Sequence, residues 1–159
     1  IRAAAQAQRA TGATISTHTT DGTMAFPLIE VLTSEGADLS RVVIGHLDRR
    51  TLNIGYLKRL ASTGVYVQLD NVGRTSLYPD SLRIDIIKQL IDLGLVRHIL
   101  LSHDNGRRSY FTSYGGAPGL EYIPRVFAPM MREAGISDAD IEQMTVLNPR
   151  TALAFEPKA

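Results

Sequence analysis

His18, His46, Asp70 and Asp104 are the residues whose types and placement point most directly to chemistry in this chain of 159 residues. Each stands where a short apolar run of strand character gives out. "ATIST" precedes His18, "RVVIG" precedes His46, "VYVQL" precedes Asp70, and "ILLS" precedes the pair His103 and Asp104. They follow one another at intervals of 28, 24 and 34 residues, about the length of one strand–helix unit. Imidazole and carboxylate together suit zinc or a similar divalent ion. Such an ion brings the pKa of its water toward about 7 and makes hydroxide available as a nucleophile, and a carboxylate touching both accepts the proton. A single histidine at a strand end is more often solvated or bonded to backbone than metal-bound. The weight lies in four such ends in succession.

Those ends need elements to position them. The opening "IRAAAQAQRATG" is alanine-rich and helix-favouring, stops at Gly12, and lacks an initiator Met. It reads as entry within a helix, and the chain is expected to be part of a longer polypeptide. Strands are predicted over Ala13–Thr17, Arg41–Gly45, Val65–Leu69 and Ile99–Ser102. Helices are predicted over Met24–Ser34, Leu52–Ser62 and Leu82–Leu93, each followed closely by a glycine. In the last of these, Ile84, Ile87, Leu90 and Ile91 form one apolar stripe. A Gly- and Tyr-containing loop covers Arg107–Gly119, and a helix is predicted over Leu120–Ala134. Ser137 is expected to cap the next helix with Asp140 three residues on, and Asn148 to cap a last short one with Pro149 at its first position.

Strict strand–helix alternation implies an α/β fold with a parallel sheet, since parallel neighbours need a crossover. In such a sheet all C-terminal strand ends lie on one edge, so the four residues converge there. That edge carries the active sites of (β/α)8 barrels and the ligands of open sheets.

Composition narrows the classes. Hydrophobic residues make up 44% and charged residues 21% of the chain, as in an ordinary globular domain. A net charge of +1 makes no case for nucleic acid or an anionic membrane as partner. There is no cysteine, so disulfides and thiolate ligands are excluded and any metal must be held by His, Asp, Glu or a modified residue. No apolar run reaches the ~18–20 residues a spanning helix needs, and no signal peptide is visible. A cytoplasmic location is expected.

Other polar residues divide by position. His98 precedes its strand and belongs to the opposite, structural end. His103 neighbours Asp104 and must point away from it if Asp104 points inward. Asp48 in "GHLDR" is balanced between supporting the site and starting a helix. Arg74, Arg107 and Arg108 could neutralise a carboxylate or phosphate through paired N–H donors, although Arg108 equally suits a solvated loop.

"ISTHT", "IGHLD" and "LLSHD" resemble the fifth-, sixth- and eighth-strand signatures of the phosphotriesterase family within the amidohydrolase superfamily. "VYVQLDNVGRTSLYPD" is similar to its seventh-strand region, and "NGRRSYFTSYGGAPGLEYI" and "NPRTALAF" to its closing segments. The short eighth loop with Arg107, Arg108 and the Gly115–Gly116 pair resembles the bacterial phosphotriesterase homology protein and phosphotriesterase-like lactonase branch. The resemblance implies a (β/α)8 TIM barrel of which residues 1–159 supply strands 5–8 and their helices, the C-terminal half of one metal-dependent hydrolase domain. It also implies two divalent metals, usually zinc. His18 and His46 would hold the more exposed metal, and Asp104 would bind the more buried one and accept the proton of the bridging hydroxide. Asp70, Arg74 and Arg107 would line the substrate site, with Gly73 beside Arg74. The first-strand His-x-His pair and the fourth-strand Lys or Glu that bridges the metals would lie before residue 1. The half-barrel alone is expected to expose two sheet edges and to be inactive.

The expected activity is thus hydrolysis of a lactone or related ester, with phosphotriesters as a side activity. The substrate is a small molecule, nucleic acid and membrane are not partners, and a homodimer is the assembly allowed for at full length. The competing reading is a non-catalytic α/β module that holds a small anion at its strand ends. It would want a Gly-rich phosphate loop at a strand–helix junction, and "GGAPG" lacks that spacing. A barrel retained only for assembly is a third.

Overall fold

A computed structural model of the chain describes residues 1–49 and 53–154. Four short strands, β1 (Ile15–Thr17), β2 (Val42–Ile44), β3 (Tyr66–Leu69) and β4 (Ile99–Leu101), pair in parallel in the order β1-β2-β3-β4. Helices α1 (Arg2–Thr11), α2 (Ala25–Ser34), α3 (Ile54–Ala61) and α4 (Asp80–Asp92) alternate with them, as the sequence pattern requires. Leu52, the expected start of the third helix, lies outside the described residues. The helix begins at Ile54 because Asn53 Oδ1 accepts the N–H of Tyr56 at 2.9 Å, satisfying one of the free donors of the first turn.

Strand alternation separates two faces. Val42, Ile44, Val67, Leu69 and Ile99 join Leu57, Leu60, Ile84, Ile87 and Leu90 of the helices in the main core. Each such fully buried aliphatic side chain stabilises the fold by about 1.5–3 kcal/mol. Val43, Tyr66 and Leu100 face the other way and form a small cluster with Ala152.

The ladder registers determine where the strand ends fall. Thr17 pairs with Ile44, Ile44 with Val67, and Val67 with Ile99. His18 follows that row at once, whereas His46, Asp70 and Asp104 lie progressively farther beyond it. The chemistry-bearing residues therefore run diagonally across the sheet, as tilted, staggered strands of a closing barrel require.

The C-terminal third departs from the expected helices. Over Leu120–Ala134 the chain winds as a wide π turn (Ile123–Phe127) and then α5 (Ala128–Glu133). Pro129 lies inside this stretch and has no N–H to close an ordinary turn. Ser137 caps α6 (Asp138–Glu142) as expected, its Oγ accepting Asp140 N–H at 3.1 Å. Asn148 is not the expected cap. It sits within continuous helical backbone between a second π turn (Gln143–Leu147) and α7 (Asn148–Leu153). Its amide instead donates to Val96 O at 2.8 Å and Ile99 O at 2.7 Å, fastening α7 to the start of β4. Thr14 Oγ1 donates to Ala152 O, and Arg41 Nη1 to Ala154 O at 2.7 Å, which holds α7 against the entry side of β1 and β2. Among the described residues no helix is long and apolar enough to cross a membrane.

Candidate active site

His18 is presented at the end of β1 by a loop that β2 holds in place. Thr19 Oγ1, buried, donates to Gly45 O at 2.7 Å and accepts Gly22 N–H at 3.1 Å. His46 arrives by a different route. Strict alternation would send its side chain to the helix side with Ile44. Its backbone is left-handed instead, with φ at 59°, and the ring stands 4.4 Å from that of His18, edge to face. Gly45 makes this approach possible, since a Cβ there would lie 2.6 Å from Thr17 O and 3.1 Å from Asp70 Oδ2.

Asp70 stands behind His46 rather than in the open mouth, 5% exposed. Its Oδ1 meets His46 Nδ1 at 2.9 Å and its Oδ2 accepts the His46 backbone N–H at 2.8 Å. A carboxylate on Nδ1 holds the proton there and leaves Nε2 as the lone-pair nitrogen. Burial pushes the Asp70 carboxyl above its usual range; the His46 N–H opposes this, and the Asp48 carboxylate adds to it.

Asp104, also left-handed at φ 48°, lies on the β4 side with its side chain 39% exposed. Arg74 Nη1 donates to its Oδ2 at 3.1 Å and Nη2 to its backbone oxygen, while the guanidinium stacks 4.1 Å above the Tyr110 ring. Arg107 approaches the same ring from 6.0 Å, and Arg108 covers Tyr114 instead, at 4.4 Å. The predicted residues thus separate into His18, His46 and Asp70 on one side, and Asp104, Arg74 and Arg107 on the other. Among the described residues, no three His, Asp or Glu side chains gather into one cluster fit for an ion.

The two adjacent imidazoles, one oriented by a carboxylate, suit a divalent ion. Asp104 fits in part, because Arg74 engages one of its two oxygens. Left-handed backbone at two non-glycine residues, His46 and Asp104, is a local cost that commonly accompanies functional sites.

Of the two roles open to Asp48 in the sequence, the structure shows the supporting one, and it adds Arg83 and Tyr110, which sequence reasoning missed. Asp48 is fully buried and accepts the N–H groups of Asp70 (3.1 Å) and Asn71 (3.2 Å), together with the amide of Asn71 (3.0 Å). Arg83, also fully buried, reaches Asp48 Oδ2 at 2.7 Å and Asp80 Oδ1 at 2.8 Å. One signal for Arg83 was available: it shares the helical stripe of Ile87 and Leu90, where a cation needs a buried partner. Tyr110, the platform under Arg74, carried none. His98 bonds Val65 O at 3.1 Å before β4, and His103 is buried on Val72 O at 2.9 Å, away from Asp104.

The model of the phosphotriesterase family matches residues 1–153. The phosphotriesterase homology protein of Escherichia coli (strain K12) is 41% identical over 147 residues, covering 92% of this chain and 50% of that protein. A phospho-furanose lactonase from Mycoplasmopsis synoviae (strain 53) is 37% identical over 163 residues, covering 99% of this chain and 46% of that protein. The crystal structure of a lactonase from Listeria monocytogenes superposes with a TM-score of 0.90 at 36% identity, covering 98% of this chain and 48% of that one. The chain spans about half the length of the relatives it matches. With its four parallel strand–helix units, it belongs to the phosphotriesterase family and supplies about half of that family's (β/α)8 barrel.

Proposed function

We propose that this chain is the C-terminal half of a metal-dependent hydrolase domain that opens a lactone or related ester, with phosphotriesters as a side activity. His18 and His46 would hold one divalent ion, most naturally zinc, and Asp104 would contribute to a second. When bound, such ions supply charge that polarises the substrate's electrophilic oxygen and makes water acidic enough to attack at neutral pH. The single observation that carries the reading is the His18–His46 pair at neighbouring strand ends, 4.4 Å apart, with Asp70 fixing the tautomer of His46.

The chain's own residues divide the remaining work. Asp104 accepts the proton of the attacking water through the carboxylate oxygen that Arg74 leaves free. Arg74 holds the other oxygen and fixes the orientation of the carboxylate. Asp70 lines the site from behind by orienting His46. Arg74 and Arg107, arrayed about Tyr110, face an anionic substituent of the substrate. That a relative is named a phospho-furanose lactonase supports a phosphorylated lactone as substrate.

Metal analysis of the intact protein tests the reading. Close to two equivalents of divalent metal per chain are expected, with a lower figure for His18→Ala and for His46→Ala. A protein that binds no metal, or whose metal content neither substitution changes, returns the site to a simple anion-binding module.

A further inference from the structure

The most fully bonded set of buried charges among the described residues joins Asp48, Arg83 and Asp80, none of which takes part in the proposed hydrolysis. We propose that Asp48 and Arg83 are positioning residues which, acting through Asp70 and Asn71, orient the imidazole of His46 and thereby set the metal affinity of the His18–His46 pair. The inference rests on the metal-hydrolase reading.

Asp48 lies two residues beyond His46, but its oxygens are committed. Oδ1 accepts from Asp70 N, Asn71 N and Asn71 Nδ2, and Oδ2 from Asn71 N at 3.1 Å and Arg83 Nε at 2.7 Å. A carboxylate so occupied, with no exposure, offers little to an ion or a substrate. Arg83 extends the grip: Nη2 donates to Asp48 O at 3.3 Å and Nη1 to Asp80 Oδ1 at 2.8 Å. Asp80 Oδ1 in turn accepts Gly73 N–H at 3.2 Å, and its Oδ2 the Tyr122 hydroxyl at 2.9 Å. The backbone leaving β3 is thus held at Asp70, Asn71 and Gly73 by one ion-paired unit. This is the segment that presents the Asp70 carboxylate to His46 Nδ1 and Arg74 to Asp104. Apolar packing would stabilise the same helix stripe without burying charge, but it would leave these three N–H groups without acceptors.

Two variants of the intact protein test the proposal. Asp48→Asn keeps the side-chain shape and removes the charge. Arg83→Lys keeps the charge and loses the fork that reaches two carboxylates at once. The readouts are the nitrogen-15 ring resonances of His46 in metal-free protein and the affinity for zinc alone, measured by competition with a chelator. The parent protein should show one tautomer with the proton on Nδ1. Each variant should show mixed tautomers and bind zinc about 10- to 100-fold more weakly, the usual cost of disturbing the groups behind a ligand. A folded variant of either kind with parent-like His46 resonances and zinc affinity overturns the proposal, whatever its Tm; if Asp48→Asn does not fold, Arg83→Lys decides. Parent zinc binding that survives both His18→Ala and His46→Ala overturns the metal reading instead.

Discussion

The strand-end surface is built in two ways. Around β2 and β3, His46, Asp70, Asn71, Asp48 and Arg83 form a closed network in which nearly every buried polar atom has a protein partner, Asn71 Oδ1 excepted. Around β4, Asp104 is partly open, Arg74 lies on an aromatic ring, and Arg74 Nε and both amide atoms of Asn105 are buried with no protein hydrogen bond. The first region has used its bonding capacity to hold a shape. The second holds its carboxylate through one ion-pairing side chain, Arg74. Rigid support on one side and a partly open carboxylate on the other is the division expected of a preorganised site.

The contrast can be broken most severely at Asp104. In the intact protein, Asp104→Asn should lower turnover by about 10²–10⁴-fold, the usual worth of a positioned proton acceptor, with a much smaller change in KM. Its stability in denaturant should stay within about 1 kcal/mol of the parent, because the pair with Arg74 is partly exposed. Parent-like turnover would remove Asp104 from the chemistry.

Stability should respond in the opposite sense on the locked side. Arg83→Met leaves Asp48 buried without its cation and should cost about 3–5 kcal/mol in denaturant unfolding. Arg74→Met should cost no more than about 1 kcal/mol. Equal losses would erase the distinction between the regions. A finer comparison uses two glycines. Gly45→Ala places a methyl 2.6 Å from Thr17 O and should destabilise by about 1–3 kcal/mol. Gly106→Ala, whose nearest neighbour would be Asp104 O at 4.0 Å, should stay within about 0.5 kcal/mol.

The smallest effect lies at alkaline pH. Burial, then the hydrogen bond to Asp80 and its charge, push the Tyr122 hydroxyl from 10.0 up to about 12. Because the folded value is the higher one, the stabilisation is fully present below the unfolded value and is lost as pH rises through the folded one. Tyr122→Phe should flatten that part of the curve of unfolding midpoint against pH. An unchanged curve would detach Tyr122 from the Asp48–Arg83–Asp80 unit.

Strand–helix alternation and the helical stripe of Ile84, Ile87 and Leu90 were legible in sequence, because burial selects residues at the period of each element. The Ser137 cap was legible because capping is local. Asn148 was misread for the same reason: its residue type suits a cap, but its amide found two carbonyls at the start of β4, far away in the chain. The wide turn before α5 depends on Pro129, a residue that local reading absorbed into one longer helix. At the site, His46 is the instructive residue. Alternation would place it on the helix side, and only its left-handed backbone, with Gly45 leaving room, brings it beside His18.

The sequence by itself determined which chemistry-bearing residues end the strands, that the strands are parallel, and which family this chain resembles. The first two follow from residue type, periodicity and spacing along the chain, and the third from the likeness of motifs such as "IGHLD" and "LLSHD". The tertiary structure alone decided that Asp70 supports His46, that Arg74 joins Asp104, and that Asp48 and Arg83 hold the exit of β3. Those pairings join residues 24 to 35 positions apart, and a hydrogen bond's partner across such a separation is chosen by the register of the sheet and the packing of α4, not by the neighbours of either residue.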